Sequence, residues 1–367
     1  MKKSIISNLR LLPRAVSALL IAATPLWAMP RNASAQGNGI QQRSFPQTLG
    51  TSANATPPPK KVIAFFFVVN AFDVAKYNYK TGHPIHVVEP IAFAVISAAL
   101  VLGPTFFEPT GQTLFAGGTY PKIPPIPPVG FDSANDRVGW VGTYDAKTGA
   151  STNPSFILFQ PPPGVRVDKC TGLAVKGKTL FVMFQLHGPG PGKHGIVGTY
   201  DAKTGAPINV NFITGLDQPT GLALKGNTLF VANFGSNSSN GTIGTYDAKT
   251  GAPIDANFIT GLSDPAGLAL LGNTLLVAEE FKNTVGTYDA KTGAVINANF
   301  ITELGHPIAL GLSGNTLLVA NFFSGTIGKF DAKTGVPIDA DFITGLSDPV
   351  SIAVGATQNQ EGQNQDQ

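Results

Sequence analysis

The chain has 367 residues, of which only 13% are charged, with 25 Lys and Arg against 22 Asp and Glu, 42 Gly, 29 Pro and one Cys. The formal charge of +3 arises in the first 35 residues, which hold Lys2, Lys3, Arg10, Arg14 and Arg31 and no acid, so the remainder carries 20 basic against 22 acidic side chains. A near-neutral remainder gives no basic stripe for nucleic acid, and the lone Cys170 excludes an intramolecular disulfide, leaving core burial to hold the fold.

Residues 1–35 read as a signal peptide: basic residues precede the apolar run Ala15 to Ala28, and Ala33-Ser34-Ala35 supplies small side chains for cleavage before Gln36. The run carries Pro25 and is short for a membrane span. The expectation is an exported protein, periplasmic or extracellular, with no transmembrane segment after signal removal. Residues 36–60, rich in Gln, Ser, Thr and Asn and ending in Pro57-Pro58-Pro59, lack the apolar content to pack and read as a disordered linker, as does the Gln- and Asn-rich tail 355–367.

Between them the phrase Tyr-Asp-Ala-Lys-Thr-Gly recurs at 144–149, 200–205, 246–251 and 288–293, with variants at 77–82 and 330–335. Its lysines (Lys80, Lys147, Lys203, Lys249, Lys291, Lys333) stand 67, 56, 46, 42 and 42 residues apart, so insertions crowd into the first half and the last units show the bare repeat. Unit 218–260 divides at its turns into four short runs, 221–224, 228–232, 242–246 and 256–260, each bounded by Gly, Asn, Asp or Pro and too brief for a helix. The Asp-Ala-Lys-Thr-Gly segments read as hairpin turns with Gly in the left-handed region. The stretch Ile91 to Gly103 reads as buried strand. Six units of four antiparallel strands predict an all-β, six-bladed β-propeller over residues 61–354.

The two ends complete each other. Asp348 to Val354 matches an innermost strand and then stops, while Val62 to Asn70 matches a second strand with no innermost strand before it. The C-terminal strand is therefore expected to complete the N-terminal blade.

The pattern Pro-x-Gly-Leu-Ala-Leu, Gly-Asn-Thr-Leu-Phe-Val-Ala-Asn, Gly-Thr-Ile-Gly-Thr-Tyr-Asp resembles NHL repeats, best at 219–247, 265–289 and 307–331. Val277-Ala-Glu-Glu280 followed by Asn283-Thr-Val-Gly286 is similar to a phrase of virginiamycin B lyase, departing from it at Leu276-Val277. The resemblance implies the propeller, and with it functions as different as peptide-binding scaffolds, lyases and sugar-lactone hydrolases.

In a four-stranded blade the loops after strands two and four emerge on one face. That face gathers the ends of the second strands (Asn70, Asn233, Glu279, Asn321), the starts of the inner strands (Asp168, Asp217, Asp264, His306, Asp348) and the long insertions Gly118 to Val138 and Gln185 to Gly195, the latter carrying His187 and His194. The expected ligand-binding residues are Asn70, Asn233, Glu279, Asn321 and His306. Glu279, which breaks a run of Asn, and His306, read as replacing an Asp or Ser before Pro, are the catalytic candidates. Neighbouring carboxylates would suit an oxygen-seeking Ca²⁺ or Mg²⁺. The opposing reading has these Asn and Asp side chains bonding local backbone at strand ends. No nucleophile elbow, phosphate loop, His-Glu-x-x-His helix or paired-Cys motif occurs. The function expected is a monomeric exported scaffold recognising a protein, peptide or glycan through this face; the alternative is a metal-dependent lyase or lactonase.

Overall fold

The computed structural model describes residues 65–69, 74–88, 99–103, 113–120, 138–188, 195–235 and 240–355. The signal, the linker, Asn70, His194, most of the 118–138 insertion and all of the tail beyond Gly355 lie outside them.

In blades 2 to 6 short antiparallel runs follow one another in chain order, so that each strand lies beside its predecessor. Blade 2 is β4 (Ala99–Gly103), β5 (Thr113–Tyr120), β6 (Val138–Asp145) and β7 (Ser151–Phe159). Blade 3 is β8 (Arg166–Lys176), β9 (Thr179–His187), β10 (Gly195–Asp201) and β11 (Pro207–Ile213). Blade 4 is β12 (Pro219–Lys225), β13 (Thr228–Asn233), β14 (Gly241–Asp247) and β15 (Pro253–Leu262). Blade 5 is β16 (Pro265–Leu271), β17 (Thr274–Glu279), β18 (Thr284–Asp289) and β19 (Val295–Ile301). Blade 6 is β20 (Pro307–Ser313), β21 (Thr316–Asn321), β22 (Thr326–Asp331) and β23 (Pro337–Ile343).

Blade 1 is discontinuous: β1 (Phe65–Val69), β2 (Val74–Asn78) and β3 (Pro84–Val88) are completed by β24 (Ser351–Val354), in the order β24-β1-β2-β3. The register Phe66↔Val354 and Val68↔Ile352 is antiparallel. Each inner strand packs on those of both neighbouring blades, and β24 lies between β20 and β4, so the ring is closed. The molecule is an all-β, six-bladed β-propeller with four-stranded blades.

Burial follows the interfaces between blades. Six apolar clusters are each drawn from two adjacent blades; at the closure, Phe66, Tyr77 and Ile352 of blade 1 pack on Leu318, Ile327 and Ile343 of blade 6. The outer turns explain why their sequence repeats so closely. In each full copy the Asp side chain accepts from the backbone N–H of the Lys and the Thr and from the Thr hydroxyl, as Asp247 does from Lys249 N, Thr250 N and Thr250 Oγ1 at 2.9, 2.8 and 3.0 Å. The turn glycine has φ of 70–76°, and a Cβ on Gly251 would collide with the carbonyl of Phe212 in the preceding blade, just as one on Gly82 would meet that of Phe342 across the closure. The fourth strand begins at Pro253, earlier than the run 256–260 suggests, because a proline on an edge strand forfeits no ladder bond.

Candidate functional site at the mouth of the ring

Four inner strands are entered through one residue held in an unusual backbone conformation. Gln218, Asp264, His306 and Asp348, each directly before a proline, have φ of 50, 52, 57 and 48°. Left-handed geometry is strained for non-glycine residues, and a following proline disfavours the helical regions further. The β8–β9 register sets Cys170 opposite Phe184 as Pro219 is opposite Asn233, which makes Lys169 the counterpart in blade 3. Sequence spacing had pointed instead to Asp168 and Asp217. Asp168 is engaged elsewhere, accepting from Arg166 Nε at 3.0 Å, and in blade 4 it is Gln218 that holds the position.

The strained residues are pinned from the loop following the second strand of the same blade. Phe234, Glu280 and Phe322 donate their backbone N–H to the carbonyls of Gln218, Asp264 and His306 at 3.1, 3.1 and 2.9 Å. Blade 5 also holds its neighbour, since His306 N donates to Asn283 Oδ1 at 3.0 Å.

The side chains of blades 5 and 6 then converge. Glu280 Oε1 lies 3.7 Å from His306 Nδ1, an ion-pair separation beyond hydrogen-bond reach. Burial pushes the Glu280 carboxyl above the usual range; His306 and, from farther off, Lys169 pull it down, and Asp264 pushes it up again. Blades 3 and 5 are not adjacent, so the influence of Lys169 on Glu280 acts across the mouth. Asp264 is fully buried and neither of its oxygens has a hydrogen-bond partner, and burial raises its pKa. Around this group runs an aromatic edge: the His306 ring stands 5.0 Å from Phe281 and 4.0 Å from Phe323, whose side chains are 53% and 66% exposed, and Phe234 stands 6.2 Å from Phe281.

The candidates read from the sequence are distributed differently. Glu279 is buried, and its carboxylate accepts from Ser263 N at 3.0 Å, Lys282 Nζ at 3.3 Å and the Tyr288 hydroxyl at 3.3 Å. Its bond to Ser263 braces the segment bearing Asp264. A carboxylate so occupied is a positioning group, and His306 meets Glu280 rather than Glu279. Asn233 and Asn321 are buried and donate to the cross-strand hydroxyls of Thr242 and Thr326 at 3.3 and 3.1 Å, their own Oδ1 atoms remaining unpartnered. Asn70 lies outside the described residues. Among the described residues no group of three or more His, Cys, Asp or Glu side chains is placed to hold one metal ion. Two clefts of ≈ 570 Å³ are present, one lined by Phe181, Ile208 and Lys249 and one running from Phe330 and Asp341 to Gly305, Asn321 and Ser324, beside the loops that carry His306 and Phe323.

A nidogen/laminin complex matches 80% of this chain and 99% of its own at 13% identity, with a TM-score of 0.60. A protein of unknown function from Bacteroides caccae covers 80% of this chain and 98% of its own at 13% identity and TM-score 0.52. TolB from Acinetobacter baumannii covers 82% and 68% at 12% identity and TM-score 0.52. These likenesses show the fold alone. Neither protein-family models nor curated sequences give a match, so the narrower likeness to NHL repeats rests on the repeat's own residues. No helix among the described residues is long and apolar enough to cross a membrane.

Proposed function

We propose that the protein is an exported binding module that engages a peptide or protein segment at the mouth formed by blades 3 to 6. One observation carries this reading: the mouth presents an exposed aromatic pair, Phe281 and Phe323, on either side of His306, whose Nδ1 has no hydrogen-bond partner in the fold. Buried polar groups elsewhere in a protein are normally paired, and solvent-facing aromatics beside them are the composition of a recognition centre rather than of a structural edge. The match to a propeller solved in a nidogen/laminin complex supports the use of such a ring for protein recognition.

The test is a peptide display library and a glycan array probed with the purified protein and with a Phe281→Ala/Phe323→Ala variant. Both rings are exposed, so the variant is expected to melt as the parent does. Ligands enriched by the parent should be lost by this variant and kept by Lys249→Ala/Lys291→Ala on the opposite face; ligands indifferent to the two phenylalanines would overturn the reading. Export is checked separately by sequencing the N-terminus of the protein secreted from its producing cell. The expected first residue is Gln36, and a retained Met1 would contradict it.

A further inference from the structure

Resting on that reading of the mouth, we infer that its ligand is an organic cation: the ammonium or guanidinium group of a Lys- or Arg-bearing peptide, received at Glu280 against the edge formed by Phe281, His306 and Phe323. Asp264 is the starting point. It is the one buried carboxylate among the described residues without a donor, while the other acids of the repeat are satisfied locally, Asp201, Asp247, Asp289 and Asp331 by their turns and Glu279 by three donors. A buried carboxyl without a donor, in a backbone conformation that itself costs free energy, marks a position held for something other than stability.

The remaining groups choose the chemistry. Glu280, partly exposed, is the carboxylate a ligand touches, and Asp264 adds its field from a covered position. Of the lysines near them, Lys282 is engaged by Glu279 and the Ala298 carbonyl, and Lys169, itself exposed, acts from across the mouth. An anion would meet two carboxylates. A neutral sugar could stack on the phenylalanines and accept or donate hydrogen bonds, but would bring no opposite charge to Glu280. A metal ion lacks a third ligand among the described residues. An ammonium or guanidinium group on an aliphatic stem supplies the opposite charge to Glu280, and the exposed Phe281 and Phe323 provide rings for the cation and cover for the stem.

The experiment is calorimetric titration of the full chain with Ac-Gly-Lys-Gly-NH₂, Ac-Gly-Arg-Gly-NH₂, the norleucine counterpart, a chito-oligosaccharide and CaCl₂, repeated on Glu280→Gln, Asp264→Asn and Phe281→Ala/Phe323→Ala. The cationic peptides should bind and the norleucine peptide should not, with a loss of about tenfold or more in Glu280→Gln. Asp264→Asn should weaken binding while raising the melting temperature of the free protein, a pairing that a purely structural carboxylate would not produce. The inference is overturned if no cationic peptide binds below about 1 mM, if the norleucine peptide binds equally, if both carboxylate variants bind as the parent does, or if CaCl₂ reproduces the effect. Binding of the norleucine peptide or the sugar that still depends on Phe281 and Phe323 would overturn the cation and keep the mouth; probes all indifferent to those rings would remove the mouth reading itself.

Discussion

Glu279 shows how one substitution within a repeat changes what a strand end does. The equivalent Asn233 and Asn321 reach only a cross-strand Thr, whereas the longer carboxylate of Glu279 spans from Tyr288 and Lys282 to the backbone of Ser263 and so holds the residue before Asp264. Glu279→Gln keeps the shape but removes the charge-assisted bonds, and is expected to cost about 1–3 kcal/mol, read as a melting temperature lower by about 2–6 °C. If it acts by positioning, peptide affinity should fall in parallel, and adding Lys282→Met should change little further in a double-mutant cycle, because the two side chains share one interaction. The sequence singled out Glu279 because it broke a pattern, but the neighbouring Glu280 stood in the same phrase unremarked. Position within a strand end decides which of two consecutive carboxylates turns inward, and that depends on the left-handed kink at Asp264, which no local composition announces.

At the scale of the element, the outer turn is the most legible part of the molecule. Its residues, Asp, Thr and Gly, are each there for a local bond or a left-handed φ, and local causes can be read from local sequence. The same turn sets an acid sensitivity. In Asp247 the Thr250 and Lys249 N–H groups hold the carboxyl below its usual range, and Asp201, Asp289 and Asp331 are lowered likewise. A carboxylate with a folded pKa below its unfolded one contributes stability above the unfolded pKa that is lost as pH falls through the folded one. The ring should therefore lose thermal stability as pH falls below about 4, and replacing these four Asp by Asn should weaken that dependence without losing the turns. Blade 1 already demonstrates the geometry: Asn78 Oδ1 accepts from Lys80 N and Thr81 N at 2.9 and 3.0 Å. Melting curves of the fourfold variant that track the parent across the range would refute this.

The whole ring depends on blade 1, and two lysines mark it. In blades 3, 4 and 5 the third strand carries Thr199, Thr245 or Thr287, whose hydroxyl bonds a carbonyl of its own blade. The same register position is Lys76 in blade 1 and Lys329 in blade 6. Lys76 reaches into blade 2 to the Ala146 carbonyl at 2.8 Å, and Lys329 reaches into blade 1 to the Tyr79 carbonyl at 3.1 Å, each lying over aromatic rings. The composite blade is thus fastened on both sides by cations where contiguous blades use their own strands. Lys76→Thr and Lys329→Thr should each lower stability by about 1–3 kcal/mol in chemical denaturation, and equal stability to the parent would show the fastening to be incidental. Deletion of residues 346–354 should abolish the cooperative thermal transition, since it removes β24 and bares Phe66 and Val68; a truncated chain that kept that transition would refute the closure. The topology was readable because the missing strand at one end matched the surplus strand at the other, whereas the fastening lysines were not, because their partners belong to neighbouring blades. The pairing of Phe66 with Val354 joins residues at opposite ends of the propeller sequence. Five blades are built of consecutive strands, but the first cannot be finished until the last strand has left the ribosome, so the newborn chain stays open, its first β-strands unpaired on one edge, for the whole of its synthesis.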